Sequence, residues 1–294
     1  MQKFKNQSQK LLRSAKRRHI FIQMSTDTTN ILTTKSLTRK FGSLVAVNDL
    51  NIAVTKNIIF GLIGLNGAGK STLIKMLTTL LDPTSGDAFI NNVSVVDKPN
   101  KIRDLIGYVP QLISADGSLT GYENLKLFAC LYHIPKKEQR ARIQEALELM
   151  DLTQVAKRLV NTYSGGMIRR LEVVLAMLHR PEVLFLDEPT TGLDVIARNH
   201  LWDYLKAAHA KYNMTIFLTT HDMEEAEKLC DQVAIMDQGK IVVTGSPNEL
   251  KQSLPIPNAN LGDVFVHYTG GHLEQSGNYK AIARQRTVSK KLGS

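Results

Sequence analysis

The stretch Gly64-Leu65-Asn66-Gly67-Ala68-Gly69-Lys70-Ser71-Thr72, entered from the apolar run Ile58-Ile59-Phe60-Gly61-Leu62-Ile63, decides how the rest of the chain is read. It fits G-x-x-x-x-G-K-[ST], the loop that joins a buried strand to a helix and holds phosphate. Its glycines let successive N–H groups curl around an anion without Cβ clashes, and the helix that follows aims its positive dipole end at the same point. The motif assigns Lys70 to the β- and γ-phosphates and the Ser71 hydroxyl to Mg²⁺.

Further along, Val183-Leu184-Phe185-Leu186 is wholly apolar and ends in Asp187-Glu188-Pro189, the pattern of a strand buried on both faces. In a parallel sheet, the loop and this acidic pair are expected at the carboxyl ends of adjacent strands, where ligands collect. Asp187 then joins Ser71 at the metal, and Glu188 polarises an attacking water.

Outward from these two motifs, alternation predicts strands over 31–39 and 45–54, with turns at Phe41-Gly42 and Lys56-Asn57. A helix is predicted over 72–80 with Leu73, Met76, Leu77 and Leu80 on one face, and 82–86 ends it. Residues 88–96 read as a strand with an Asn91-Asn92 turn inside it, and 106–109 as a buried strand stopped by Pro110-Gln111. From about 112 to 162 the texture is helical: Thr120 and Glu123 form a capping box, Pro135 closes that helix, and Ile143, Ala146, Leu147 and Met150 share a face of the next. Ser164-Gly165-Gly166 opens a helix lined by Leu171, Val174, Leu175 and Leu178. Asp194 caps a helix over 195–212, residues 215–218 form a strand, and Asp222 begins another helix. Residues 232–236 and 240–243 pair as a hairpin across Asp237-Gln238-Gly239. Beyond Leu250 a loop and a basic tail are expected.

With 294 residues and 43% apolar content, the chain can bury a large α/β core plus a subdomain. Cys130 and Cys230 lie far apart with no C-x-x-C spacing, so neither a metal site nor a disulfide framework is suggested, and a reducing compartment fits best. The formal charge of +10 points first to nucleic acid, but residues 1–23 and 275–294 hold bases and no acids, and in the body between them the charges nearly cancel. No apolar run is long enough to cross a bilayer, and Ile20-Phe21-Ile22 is too short for a secretory core. The N-terminal arm is expected to be disordered, with Met24 opening a plausible chain of its own; contact with anionic lipid and organellar targeting are the two other readings.

The order of the remaining motifs resembles the ATP-binding subunit of ABC transporters over nearly all of residues 31–250. Tyr163-Ser164-Gly165-Gly166-Met167 is similar to the family signature, Gln111 to the Q-loop glutamine, Gly192-Leu193-Asp194 to the D-loop, His221 after Thr219-Thr220 to the switch histidine, and Phe41 to the aromatic A-loop position. Leu65 replaces a common proline, and Tyr163 and Met167 replace the usual Leu and Gln while the anion-binding Ser-Gly-Gly is kept. This form of the signature, with the closing 263–270, looks like the drug-resistance and ABC-2-type exporter branch.

The resemblance implies ATP and Mg²⁺ as ligands. Phe41 stacks on adenine, residues 64–72 hold the phosphates, Ser71, Gln111 and Asp187 serve the metal, and Glu188, Gln111 and His221 serve hydrolysis. It implies that Ser164, Gly165 and Gly166 cap the γ-phosphate held by a facing subunit, expected to be a second copy. A separate permease is the expected partner, nucleic acid is not, and the expected location is the cytoplasmic face of a membrane. The rival reading is an ABC-type ATPase acting on nucleic acid or the ribosome. The expected fold is α/β: an ATP-binding core with a parallel central sheet, an antiparallel β edge and a helical subdomain at about 112–170. It lies between a basic arm (1–30) and a C-terminal extension (251–294).

Overall fold

The computed structural model describes residues 29–270. The basic arm up to residue 28 and the tail from 271 lie outside the described residues.

The core is a six-stranded sheet in the order β11-β10-β4-β9-β8-β7, built from β4 (Ile59–Ile63), β7 (Ile106–Val109), β8 (Val183–Asp187), β9 (Thr215–Thr220), β10 (Gln232–Asp237) and β11 (Lys240–Gly245). Its pairs run parallel except the β10–β11 hairpin at one edge. Every residue of β4, β8 and β9 is buried, as a parallel sheet covered on both faces requires. Alternation then divides their side chains between two cores. Phe60, Phe217 and Phe185 are cross-strand neighbours on one face, with ring centroids 5.2 and 5.5 Å apart. They pack towards an antiparallel sheet of β1 (Asn30–Phe41), β2 (Leu44–Leu50), β3 (Ala53–Thr55), β5 (Ser85–Ile90) and β6 (Val93–Ser94). Ile59, Ile63, Leu184, Leu186, Ile216 and Leu218 belong to the other core, covered by the helices from residue 121 onward, while Leu73, Ile74, Met76, Leu77 and Ile102 of the two earlier helices join the first.

The helices are α1 (Lys70–Leu77), α2 (Pro99–Leu105), α3 (Gly121–Leu131), α4 (Lys136–Leu149), α5 (Gly165–Met177), α6 (Val195–Tyr212), α7 (Met223–Leu229), α8 (Pro247–Gln252) and α9 (Leu261–Thr269). The capping box that opens α3 forms as expected, and Ile143, Ala146, Leu147 and Met150 are all buried. Tyr163 donates its hydroxyl to the Val155 carbonyl at 2.7 Å, and a Cβ at Gly121 would lie 2.4 Å from the Tyr163 hydroxyl oxygen. A glycine at 121 therefore makes the room for a tyrosine in the signature. Cys130 is exposed on α3; Cys230 is buried after α7, its thiol pushed well above the usual range by burial.

Four expectations are corrected. The loop strand β4 and the acidic strand β8 are not adjacent: β9 lies between them. The segment 45–54 is not one strand, because the buried Thr34 hydroxyl donates to Leu50 O at 2.8 Å and accepts from Ile52 N at 2.9 Å, replacing the ladder at that break. The helix expected over 72–80 starts at Lys70 and ends at Leu77; Thr79 takes a left-handed φ of 60°, and Leu80, expected on the buried face, is 61% exposed. Beyond Leu250 the chain is not simply a loop. Capping boxes at Ser246/Glu249 and Asn260/Asp263 open α8 and α9, and Leu261, Val264 and Phe265 of α9 join the helical core. Among the described residues, no helix is long and apolar enough to cross a membrane.

Candidate functional site

The carboxyl ends of β4, β9 and β8 bring the loop, His221 and the acidic pair to one edge of the sheet. Strand β9 stitches them together: Gly64 N donates to Thr220 O at 3.3 Å, Glu188 N to Thr219 O at 3.2 Å, and the Thr219 hydroxyl to Asp187 Oδ1 at 2.6 Å. Within the loop, Gly67 and Gly69 have φ of 84° and 107°, a region closed to most side chains. Gly69 is also the residue from which α1 starts.

Lys70 is buried, and its ammonium donates to Gly64 O at 2.9 Å and Leu65 O at 3.2 Å, 3.4 Å from Glu188 Oε1. Burial lowers its pKa from the usual 10.5, and the charge of Glu188 opposes that shift. The Ser71 hydroxyl donates to Asp187 Oδ1 at 3.2 Å. A hydroxyl and a carboxylate side by side, next to the glycine-rich loop, are the oxygen donor set of a hard divalent cation that keeps phosphate and water as its other ligands. The residues present therefore fit Mg²⁺. Burial and the nearby Asp187 also push the Tyr108 phenol up to about 12.

Glu188 is the hub. It adopts a left-handed φ of 49° and is only 7% exposed. Its Oε2 faces the Thr191 hydroxyl at 3.1 Å, Gln111 Nε2 at 3.4 Å and His221 Nδ1 at 3.4 Å, while Oε1 faces Lys70. A carboxylate enclosed by a cation, an amide and an imidazole is positioned to accept a proton and to be reset afterwards. Strain at such a residue is characteristic of a site that holds its groups ready.

Gln111, Lys70, Ser71, Asp187, Glu188 and His221 are thus brought together. Phe41 ends β1 half-exposed, with the Arg39 guanidinium 4.6 Å above its ring. Ser164 caps α5 by accepting from Met167 N at 3.3 Å, and Gly165 and Gly166 form the first turn. Among the described residues these three make no hydrogen bond to the loop or to Glu188. Ser164 and Gly166 open instead, with Asp194, Ile196 and His200, on a cleft of about 520 Å³. Sequence reasoning missed Thr191 and Thr219, whose hydroxyls hold the two carboxylates. Their signal was position alone, Thr191 three residues after Glu188 and Thr219 two residues before His221.

A phosphate loop whose lysine and serine meet an Asp-Glu pair on a parallel sheet defines a nucleoside triphosphatase of the P-loop class. Residues 47–191 match the family described as "ABC transporter". The chain is 39% identical over 231 residues to the daunorubicin/doxorubicin resistance ATP-binding protein DrrA of Streptomyces peucetius, covering 79% of this chain and 70% of that one. Among solved structures it is similar to an ATP-binding subunit of an ABC transporter, with a TM-score of 0.73 and 30% identity over 81% of this chain and 99% of that one. It is also similar to an ATP-binding cassette described as dimeric in a post-hydrolysis state with ADP and Pi, with a TM-score of 0.66 and 25% identity over 73% and 98% of the two chains. The chain belongs to the ABC transporter family, whose ATP-binding subunits hydrolyse ATP to drive transport. These relatives support the transport reading over the nucleic-acid one.

Proposed function

We propose that this chain is the ATP-hydrolysing subunit of an exporter for a drug-like or lipid-like compound, bound to the cytoplasmic face of the membrane through a separate permease. Glu188 is the general base. Lys70 and the loop amides of residues 64–72 hold the β- and γ-phosphates, Phe41 stacks on adenine, and Gln111 and His221 orient the water and the γ-phosphate around the Glu188 carboxylate. Ser71 and Asp187, with Gln111, hold Mg²⁺, which when bound neutralises charge developing on the phosphate oxygens. Ser164, Gly165 and Gly166, set apart from their own chain's loop, complete the site of a second copy placed head to tail, so that two ATP molecules are shared between two chains. Exposed Leu112 and Ile113 beside Gln111, with Leu127 and Leu131 on α3, offer apolar surface for a cytoplasmic helix of the permease. The names of the relatives support the class of compound.

The observation that carries this reading is the ring of Lys70, Gln111, Thr191 and His221 around Glu188. The test is Glu188→Gln, which keeps shape and removes the base. ATP turnover is expected to fall by roughly 10²–10⁴-fold, and dimers are expected to accumulate in ATP on size exclusion. Monomers at saturating ATP, or turnover equal to the parent's, would refute it.

A further inference from the structure

Residues 110–114 leave β7 as an exposed bow between the core sheet and the helical part, in neither a strand nor a helix. Such a backbone has to find its hydrogen bonds elsewhere. Two buried side chains one turn apart on α5 provide them. Arg169, 6% exposed, donates through Nη1 to Pro110 O at 2.8 Å and through Nη2 to Gln111 O at 3.0 Å. The same Nη1 lies 3.1 Å from Glu172 Oε2. Glu172, 2% exposed, uses its other oxygen to accept from Ser114 N at 2.5 Å and from the Ser114 hydroxyl at 3.1 Å. The bow is therefore gripped at both ends by one helix, and that helix begins at Ser164. Between the grips Leu112 and Ile113 stand 81% and 63% exposed, while the Gln111 amide reaches back to Glu188.

We propose that Arg169 and Glu172 are positioning residues that join the Gln111 bow to the Ser164 helix as one rigid unit. A displacement at Leu112-Ile113 then moves Ser164 and the Gln111 amide together, and neither end of the ATP cycle can change without the other. A planar guanidinium is suited to this, because its fork reaches two carbonyls and a carboxylate at once; a lysine ammonium in the same place keeps the charge and loses the fork. The inference rests on the proposed roles of Gln111, Glu188 and Ser164 and adds the device that couples them.

The test uses the full chain and compares Arg169→Lys and the paired change Arg169→Met/Glu172→Leu with the parent and with Glu188→Gln. Replacing a buried ion pair by apolar residues of similar volume commonly leaves a fold as stable or more so. The paired variant therefore separates positioning from stability, even where Arg169→Lys folds poorly. In the paired variant kcat for ATP is expected to fall about tenfold or more, with KM for Mg-ATP within about twofold of the parent and an unchanged or raised Tm. Amide hydrogen exchange is expected to rise across 110–114 and to stay at the parent level across 64–77. A parent kcat in the paired variant, or a KM rise that matches the kcat loss, overturns the proposal. If Glu188→Gln abolishes turnover while both Arg169 variants match the parent, the coupling alone fails; if Glu188→Gln itself turns over like the parent, the reading of the whole site fails with it.

Discussion

Gly67 and Gly69 stand two positions apart in the phosphate loop, both with left-handed backbones, yet a methyl group added at each meets different surroundings. At Gly67 nothing lies within 4 Å of the new Cβ; at Gly69 it would lie 2.3 Å from the Ala46 carbonyl oxygen and 2.8 Å from Met236 Cε. Gly67→Ala therefore carries only the left-handed backbone strain, about 1–2 kcal/mol. Gly69→Ala carries that strain and an overlap with a backbone oxygen of β2, which cannot rotate aside as a side chain can. Overpacking of this kind adds about 1–3 kcal/mol. In a body of this size 1 kcal/mol moves Tm by roughly 2–4 °C, so Gly69→Ala should lose about twice as many degrees as Gly67→Ala. The assay is thermal unfolding of the full chain by circular dichroism, with and without Mg-ATP. The methyl at Gly67 enters open space on the loop, so that variant should also lose most of the Tm rise that bound nucleotide gives. Equal losses in the absence of ATP, or a larger loss at Gly67, would refute the steric reasoning.

Two further outcomes follow from the elements around His221. Asp222 caps α7 by accepting from Glu224 N at 2.9 Å and pairs with Arg198 at 2.6 Å. Asp222→Asn keeps the cap and should cost up to about 1 kcal/mol, while Asp222→Ala loses both contacts and should cost about 1–3 kcal/mol by urea denaturation; identical midpoints for the two variants would reject the cap. Glu225 is fully buried with Oε1 accepting from Trp202 Nε1 at 3.0 Å, and burial raises its carboxyl above the usual 4.5. The folded chain therefore keeps a proton that the unfolded chain releases near 4.5. The stability this provides is complete below that pH and is lost as pH rises through the folded value. Glu225→Gln should flatten this part of the Tm–pH curve, and the fluorescence of Trp202, the chain's one tryptophan, should stop titrating with it. A curve that keeps its slope in the variant would assign the effect elsewhere.

What could be read from the sequence were features decided within a few residues. Pro110 ends β7, Asp194 starts α6 and Thr120 with Glu123 starts α3 where expected, because each signal is a local cap or breaker. Strand order was not readable. Strands β4, β8 and β9 are all wholly buried, so their side chains suit any of the three positions, and only the tertiary fold puts β9 in the middle. The break after Leu50 depends on Thr34, 16 residues away, and the end of α1 on a left-handed threonine that nothing in the local pattern announces. The short helices α8 and α9 had capping boxes in plain view, but too few apolar repeats to show a period. At the candidate site, Lys70, Ser71, Asp187 and Glu188 were legible as a phosphate loop and an acidic strand end, whereas Gln111 and His221 were legible only through the order of motifs shared with the ABC family. Arg169 and Glu172 were not, because what defines them is a contact with a backbone almost sixty residues earlier.

The two thiols differ in a way that reaches beyond the fold. Cys230 lies so close behind β4 that a methyl at Gly61 would come within 2.7 Å of its sulfur, and its raised pKa keeps it protonated; Cys130 sits in solvent on α3. Within the described residues, a maleimide dye therefore has one attachment point in the native chain, on the lobe that carries the apolar surface near Gln111. A fluorophore placed there would report on the surroundings of α3 without an engineered mutation.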